Sequence, residues 1–314
     1  MSAQASGQPP PRRFSGPFVA GLASLAFFTA LLVVPLLGAF VGLWSALPLV
    51  REHALGRAAF LAWGWVLVLL VGATLAAGGG PLGILAAGYL LVAVWPAVTV
   101  ELWQRRGWST GRWLAVLTLG AWGFSSALAL GWFGTGNVGE ALAEGAAAWL
   151  KAHKQAAGFW FLGQADMVIS GASLAGYLAP AIAAAYVMVA GLWLRPRLGL
   201  LGLPLGREPF TSYASEEWLP LGFVVGSFGW VFAGGALGWL AANLLAVVVA
   251  LYFVHGAAII CAMLGPNLGA NRWVRAAVVV VGVQVPLAFL YAALGLVDSF
   301  VKIRRVKEDE ESRP

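Results

Sequence analysis

The chain has 314 residues, of which 61% are hydrophobic and only 10% charged, with a net charge of +6. So few charges cannot clothe a soluble core of that apolar content, and the apolar runs are continuous rather than alternating, which excludes a β-barrel. The composition predicts an all-α, polytopic transmembrane helical bundle, multi-pass in a bacterial inner membrane, with the lipid bilayer as its surroundings and no nucleic acid as partner.

Residues 1–16, "MSAQASGQPPPRRFSG", are polar and proline-rich and are expected as a disordered tail. The apolar stretch that follows is too long for the h-region of a cleavable signal peptide. Eight membrane segments, give or take one, are expected at 17–50, 57–77, 82–103, 112–133, 166–194, 218–236, 239–264 and 274–298. The first is 34 residues long and is expected to be broken at Pro35, as one bent helix or a hairpin of two short passes. The N-terminal membrane helices then occupy 17–133 and the C-terminal ones 166–299, with a charged tail over 300–314. Between them, 134–165 carries Glu140, Glu144, Lys151 and Lys154, too many charges to span. It reads as an amphipathic segment along the interface or as a solvated connector.

Basic residues mark three connections: Arg105, Arg106 and Arg112; Arg195, Arg197 and Arg207; Arg272 and Arg275. The positive-inside rule puts them in the cytoplasm. One more crossing, 274–298, would place Lys302, Arg304, Arg305 and Lys307 outside, unless a segment fails to span. The short, glycine-rich 218–236 is the suspect. Glu101 and Arg105 form an i, i+4 pair in the favourable order. Ser215 is placed to cap a helix that starts at Glu216 and Glu217, with Pro220 still in its opening turn. The pairs Gly38/Gly42, Gly222/Gly226 and Gly234/Gly238 would permit close helix packing.

The sequence has no GxxxxGK[ST] phosphate loop, so any ATP-driven activity needs a separate ATPase subunit. It also lacks HExxH and CxxC, and no metal or other cofactor is expected. "GASLAG" around Ser173 misses GxSxG because Ala175 replaces the second glycine. An intramembrane dyad of Ser173 with His255 is the enzymatic reading that remains, with no oxyanion donors to support it, and no enzyme activity is expected.

Polar groups at membrane depth are costly and face the bundle interior. Asp166, Ser170, Ser173 and Tyr177 follow spacings of four, three and four, one face of a helix. Gln284, Tyr291 and Asp298 recur every seven residues, a step that drifts about 20° around a straight helix. Asn243, Tyr252 and His255 add a third group, with Tyr252 and His255 on one face. These ten residues are the candidate lining of a polar cavity. Each has a plainer alternative: Ser170 and Ser173 can bond their own backbone, Asp166 can favour a helix dipole, and His255 can be a packing residue. Asp298 has Lys302 as a local partner four residues on.

The C-terminal third, with "EEWLPLGFVVGSFGW", "NLLAVVVALYFVHGAAIICAML" and "LGLVDSFVKIRR", resembles the YybS-like family of bacterial polytopic membrane proteins. The matching positions are Pro220, Asn243, Gly256, Gly295, Asp298 and Arg304 or Arg305. The resemblance implies an architecture without an established activity. In style the first half is also similar to substrate-binding subunits of vitamin and metal uptake systems, which borrow an ATPase from a partner. Two functions are expected from these readings. One is binding or translocation of a small solute or lipid through a polar-lined bundle. The alternative is a non-transporting scaffold or assembly factor that docks cytoplasmic proteins through its basic loops and tail.

Overall fold

A computed structural model describes residues 16–33, 35–55, 59–76, 80–133, 144, 148, 165–203 and 209–302. Among them every regular element is helical. The N-terminal tail, nearly all of 134–164 and the charges beyond Lys302, Arg305 included, lie outside the described residues. Four helices are long and apolar enough to cross a membrane: Leu82–Arg106, Thr110–Trp132, Ala179–Leu200 and Gly235–Met263. The chain divides into two compact units, Met1–Ala97 and Val98–Pro314.

The first unit contains α1 (Pro17–Val33), α2 (Pro35–Gly42), α3 (Leu47–Ala54), α4 (Ala59–Ala76) and α5 (Pro81–Tyr89). Residues Leu90–Val94 form a π turn that leads into α6 (Trp95–Arg106). Val34, where the break at Pro35 is expected, is outside the described residues. Gly38 of α2 packs so closely on α1 that a Cβ there would overlap the Ala30 carbonyl. A π turn leaves backbone carbonyls without regular helical partners. Here Ser45 reaches the Val92 carbonyl at 3.4 Å, and Ser24 donates to the Ser45 carbonyl at 2.7 Å while accepting from the Tyr89 hydroxyl at 3.1 Å.

The second unit is built on α7 (Thr110–Phe133), α8 (Ala165–Tyr177), α9 (Ala179–Leu200), α10 (Leu219–Phe232), α11 (Gly235–Met263), α12 (Gly265–Ala270), α13 (Arg272–Gly282) and α14 (Val285–Val301). Helices α10 and α11 pack antiparallel along a line of glycines: Gly222 faces Val248, Gly226 faces Leu245 and Gly229 faces Ala241. The short, glycine-rich segment expected at 218–236 is therefore half of a tight helical hairpin. At the end of α11, Gly269 of α12 lies against the Cys261 carbonyl and Thr211. The loop after α9 and the end of α11 thus share one end of this unit.

The expected segment 274–298 is two helices, α13 and α14, bent by 111° at their junction. The bend falls at Val283 and Gln284, just before Pro286, which cannot donate to a continuous helix. Gln284, expected on the polar stripe, is an exposed flank of this junction.

Candidate functional site

Helix α14 crosses α11 around His255. The crossing is close because both helices offer a glycine there. A Cβ on Gly256 would overlap the Tyr291 carbonyl, and one on Gly295 would overlap the Tyr252 carbonyl. Without side chains in the way, the backbones approach and the residues beside the glycines are brought into register.

This approach places the Asp298 carboxylate on the imidazole of His255, Oδ2 to Nε2 at 3.0 Å. Both side chains are inside the protein, at 2% and 6% exposure. Asp298 therefore pairs across the helix crossing rather than with Lys302. Lys302 ends α14 in the left-handed region (φ 51°), its side chain exposed and its backbone N–H bonded to the Asp298 carbonyl at 3.0 Å.

The other imidazole nitrogen, Nδ1, lies 2.9 Å from Ser215 Oγ. A proton on Nε2 suits the carboxylate, which leaves Nδ1 to accept from the serine hydroxyl. Ser215 Oγ is also 3.1 Å from Ser299 Oγ, and Ser299 donates back to the Gly295 carbonyl at 3.1 Å. Tyr213 stands edge-on to the His255 ring, centroids 6.0 Å apart. Burial, with the Glu216 carboxylate nearby, holds the Tyr213 phenol well above its ordinary pKa, so it stays neutral. Tyr252, one turn before His255, is buried beside Ser299.

The expected cap by Ser215 is not what the chain builds. Helix α10 starts at Leu219, with Pro220 in its first turn and no side-chain cap bond. Ser215 is thus several residues too early to cap it, and its loop is fixed from elsewhere. Ser109 caps α7 by accepting from the Arg112 N–H at 3.0 Å and donates to Glu216 Oε1 at 2.7 Å. Arg112 Nε completes the arrangement with Glu216 Oε2 at 3.2 Å. Gly111 allows the loop to lie flat on α7, since a Cβ there would overlap the Ala214 carbonyl. Glu216, expected to favour a helix dipole, instead anchors the loop that presents Ser215. The Glu101–Arg105 pair forms as expected, at 2.5 Å.

The other candidate residues divide. Asn243, fully buried, ties α11 to the break between α8 and α9. Its Oδ1 accepts from the Ala181 N–H at 3.1 Å, and its Nδ2 donates to the Tyr177 and Trp239 carbonyls at 3.0 Å each. Trp239 Nε1 adds a second bond to the Tyr177 carbonyl at 2.8 Å. Tyr291 stacks on Phe253 at 5.5 Å and donates to the Val278 carbonyl at 3.2 Å, bracing the α13–α14 bend. Ser170 and Ser173 are exposed on α8, and the structure brings neither to His255; the Asp166 side chain is outside the described residues. Ser170 and Ser173 therefore do not join the cluster that His255 and Asp298 form.

Sequence reading missed Ser215, Ser299 and Tyr213 as neighbours of His255. It also missed Glu52, a buried carboxylate of the first unit that lines a cleft of about 250 Å³ with Arg51, Phe27, Leu47 and Pro48. Among the described residues no three His, Cys, Asp or Glu side chains group to hold a metal ion. Comparison with protein-family models, with curated proteins and with solved structures gives no match.

Proposed function

We propose that this is a multi-pass protein of the bacterial inner membrane that binds a small solute or lipid where the 209–218 loop meets the crossing of α11 and α14. Movement of that ligand across the bilayer would use the polar groups of the bundle. The observation that supports this reading is the row Ser215–His255–Asp298, which runs from a half-buried loop hydroxyl to an imidazole and a carboxylate enclosed between apolar helices. Such groups are expensive at membrane depth and are retained where a polar ligand or proton must be handled.

The YybS-like resemblance, the count of eight segments and the broken first segment belong to the same proposal. So does a separate ATPase or other cytoplasmic protein as partner, because the chain carries no phosphate-loop motif of its own. Ser299 lies against Ser215, on the loop that follows the basic end of α9. That contact favours a charged tail on the same, cytoplasmic side as Arg195 and Arg197, with α13 and α14 entering and leaving the bilayer from one face.

Native mass spectrometry of the full chain in mild detergent tests the binding. A solute or lipid should be retained by the wild type and depleted in His255→Ala and Asp298→Ala. An identical retained set in all three would remove the cluster from the reading.

A further inference from the structure

The binding cluster has the connectivity of an activated serine, and we propose that Ser215 is a nucleophile that takes an acyl group from a lipid ester. The proposal rests on the lipid side of the binding reading above. A serine becomes nucleophilic when a base accepts its proton and a third group fixes that base in the right tautomer. All three parts are present. Nδ1 of His255 is 2.9 Å from Ser215 Oγ, and Nε2 is 3.0 Å from Asp298 Oδ2. The base and the carboxylate are buried, whereas Ser215 is only part-buried, the most accessible residue of the three. The three residues come from a loop and two helices, 40 and 43 residues apart in successive steps.

The place of Ser215 points to the substrate. Its loop lies between the end of α9 and the start of α10, where Trp218 is exposed in the position of an interfacial aromatic. Phe300 and Val301, which follow Ser299 on α14, and Leu221 in the first turn of α10 are exposed apolar side chains, suited to acyl chains. The ester carbonyl of a glycerolipid lies at the boundary between headgroup and hydrocarbon, the level at which such a loop meets the bilayer.

Ser215 Oγ bonds to the acyl carbonyl carbon as its proton passes to Nδ1 of His255, and the carbonyl π pair moves to oxygen. Collapse breaks the bond between that carbon and the alcohol oxygen, which leaves with the proton from Nδ1. Water then attacks the acyl-serine, gives its proton to Nδ1 and releases the fatty acid, and Ser215 recovers its hydrogen. Asp298 is a positioning residue: it holds the proton on Nε2 and steadies the imidazolium. The Ser299 hydroxyl, 3.1 Å from Ser215 Oγ and donating to the Gly295 carbonyl, helps to hold the serine side chain in place beside Nδ1.

The test is covalent labelling of the full chain in lipid nanodiscs with a long-chain alkyl fluorophosphonate, with the adduct located by peptide mass spectrometry. We expect the adduct on Ser215, its absence in Ser215→Ala, and a fall of about 100-fold or more in His255→Ala. Ser173→Ala should label like the wild type. Asp298→Asn should slow labelling and also change the ¹⁵N signature of His255 from a bare Nδ1, a readout that loosened packing alone does not produce. The chain has only three histidines, which makes that signal assignable. If Ser215→Ala unfolds, Ser215→Cys decides. Its alkylation by iodoacetamide should be at least about 10-fold faster with His255 present than in the His255→Ala background, and the one native cysteine, Cys261, is buried. No adduct on Ser215 in a wild type that still retains lipid overturns the nucleophile while leaving the binding reading intact. Adduct formation without lipid retention does the reverse. Equal labelling by a methyl and a long-chain fluorophosphonate would overturn the lipid ester as substrate.

Discussion

Helices α8 and α14 invite comparison. Each is short, and each carries polar residues at helical spacing. On α14, Tyr291 and Asp298 are buried against α11; on α8, Ser170 and Ser173 face outward. The difference is made by the partner. α14 meets a helix that has a glycine where it crosses, so backbones touch and side chains interlock around them. α8 packs mainly on the start of α9, and nothing lies within 4 Å of a Cβ built on its Gly171. A polar stripe marks one face of a helix, but a complementary surface is needed to make that face an inside.

The largest test of this difference exchanges the two glycines for alanine. Gly256→Ala must push α14 away from α11 and should cost about 1–3 kcal/mol, as overpacking does. Gly171→Ala meets open space and should be neutral or gain on the order of 0.5–1 kcal/mol from helix propensity. Urea or sodium dodecyl sulfate unfolding followed by tryptophan fluorescence reads both. Equal losses at the two sites would mean that the close crossing does not exist.

Next in size is the pair that the crossing assembles. Asp298→Ala removes the acceptor of a buried imidazole N–H and should cost about 1–3 kcal/mol. Hydrogen bonds within membrane bundles average nearer about 0.6 kcal/mol, so the low end is expected if water enters the gap. The double variant with His255→Ala should lose less than the sum of the singles, because the orphaned group is then gone. Strict additivity would show that the 3.0 Å contact carries no energy.

Asn243 provides a sharper version of the comparison, because it is where α8 does have a buried tie. Asn243→Ala frees the Ala181 N–H and removes one of two donors from the Tyr177 carbonyl, while Trp239 keeps the other. The expected loss is about 1 kcal/mol. Hydrogen exchange should quicken at the α8–α9 break and stay unchanged at the α11–α14 crossing.

Part of this could be seen before folding. The seven-residue step from Tyr291 to Asp298 puts both on one face, and His255 is conspicuous as a titratable group inside an apolar run. The step fails at Gln284 because the helix itself bends before Pro286. Ser215 was hidden for another reason. Serine followed by two glutamates and an apolar run is the local signature of a helix start, and local pattern is all that a single sequence displays. What redirects Ser215 is remote: Glu216 is held by Ser109 and Arg112, more than 100 residues earlier, and His255 arrives from 40 residues later. Local capping chemistry lost to tertiary contacts that no spacing rule records.

The smallest expected effect lies on α8 itself. Ser170→Ala and Ser173→Ala remove exposed hydroxyls and should change stability by no more than about 0.5 kcal/mol. A cysteine at position 173 should react with a lipid-soluble maleimide and resist a charged one, whereas a cysteine at position 291, under Phe253 and Gly282, should resist both. Reaction of both positions with the charged reagent would place the two stripes around a common aqueous path. In that case α8 and α14 would differ in packing but share a function, and the contrast drawn from burial would give way to the polar-lined bundle that their spacing suggests.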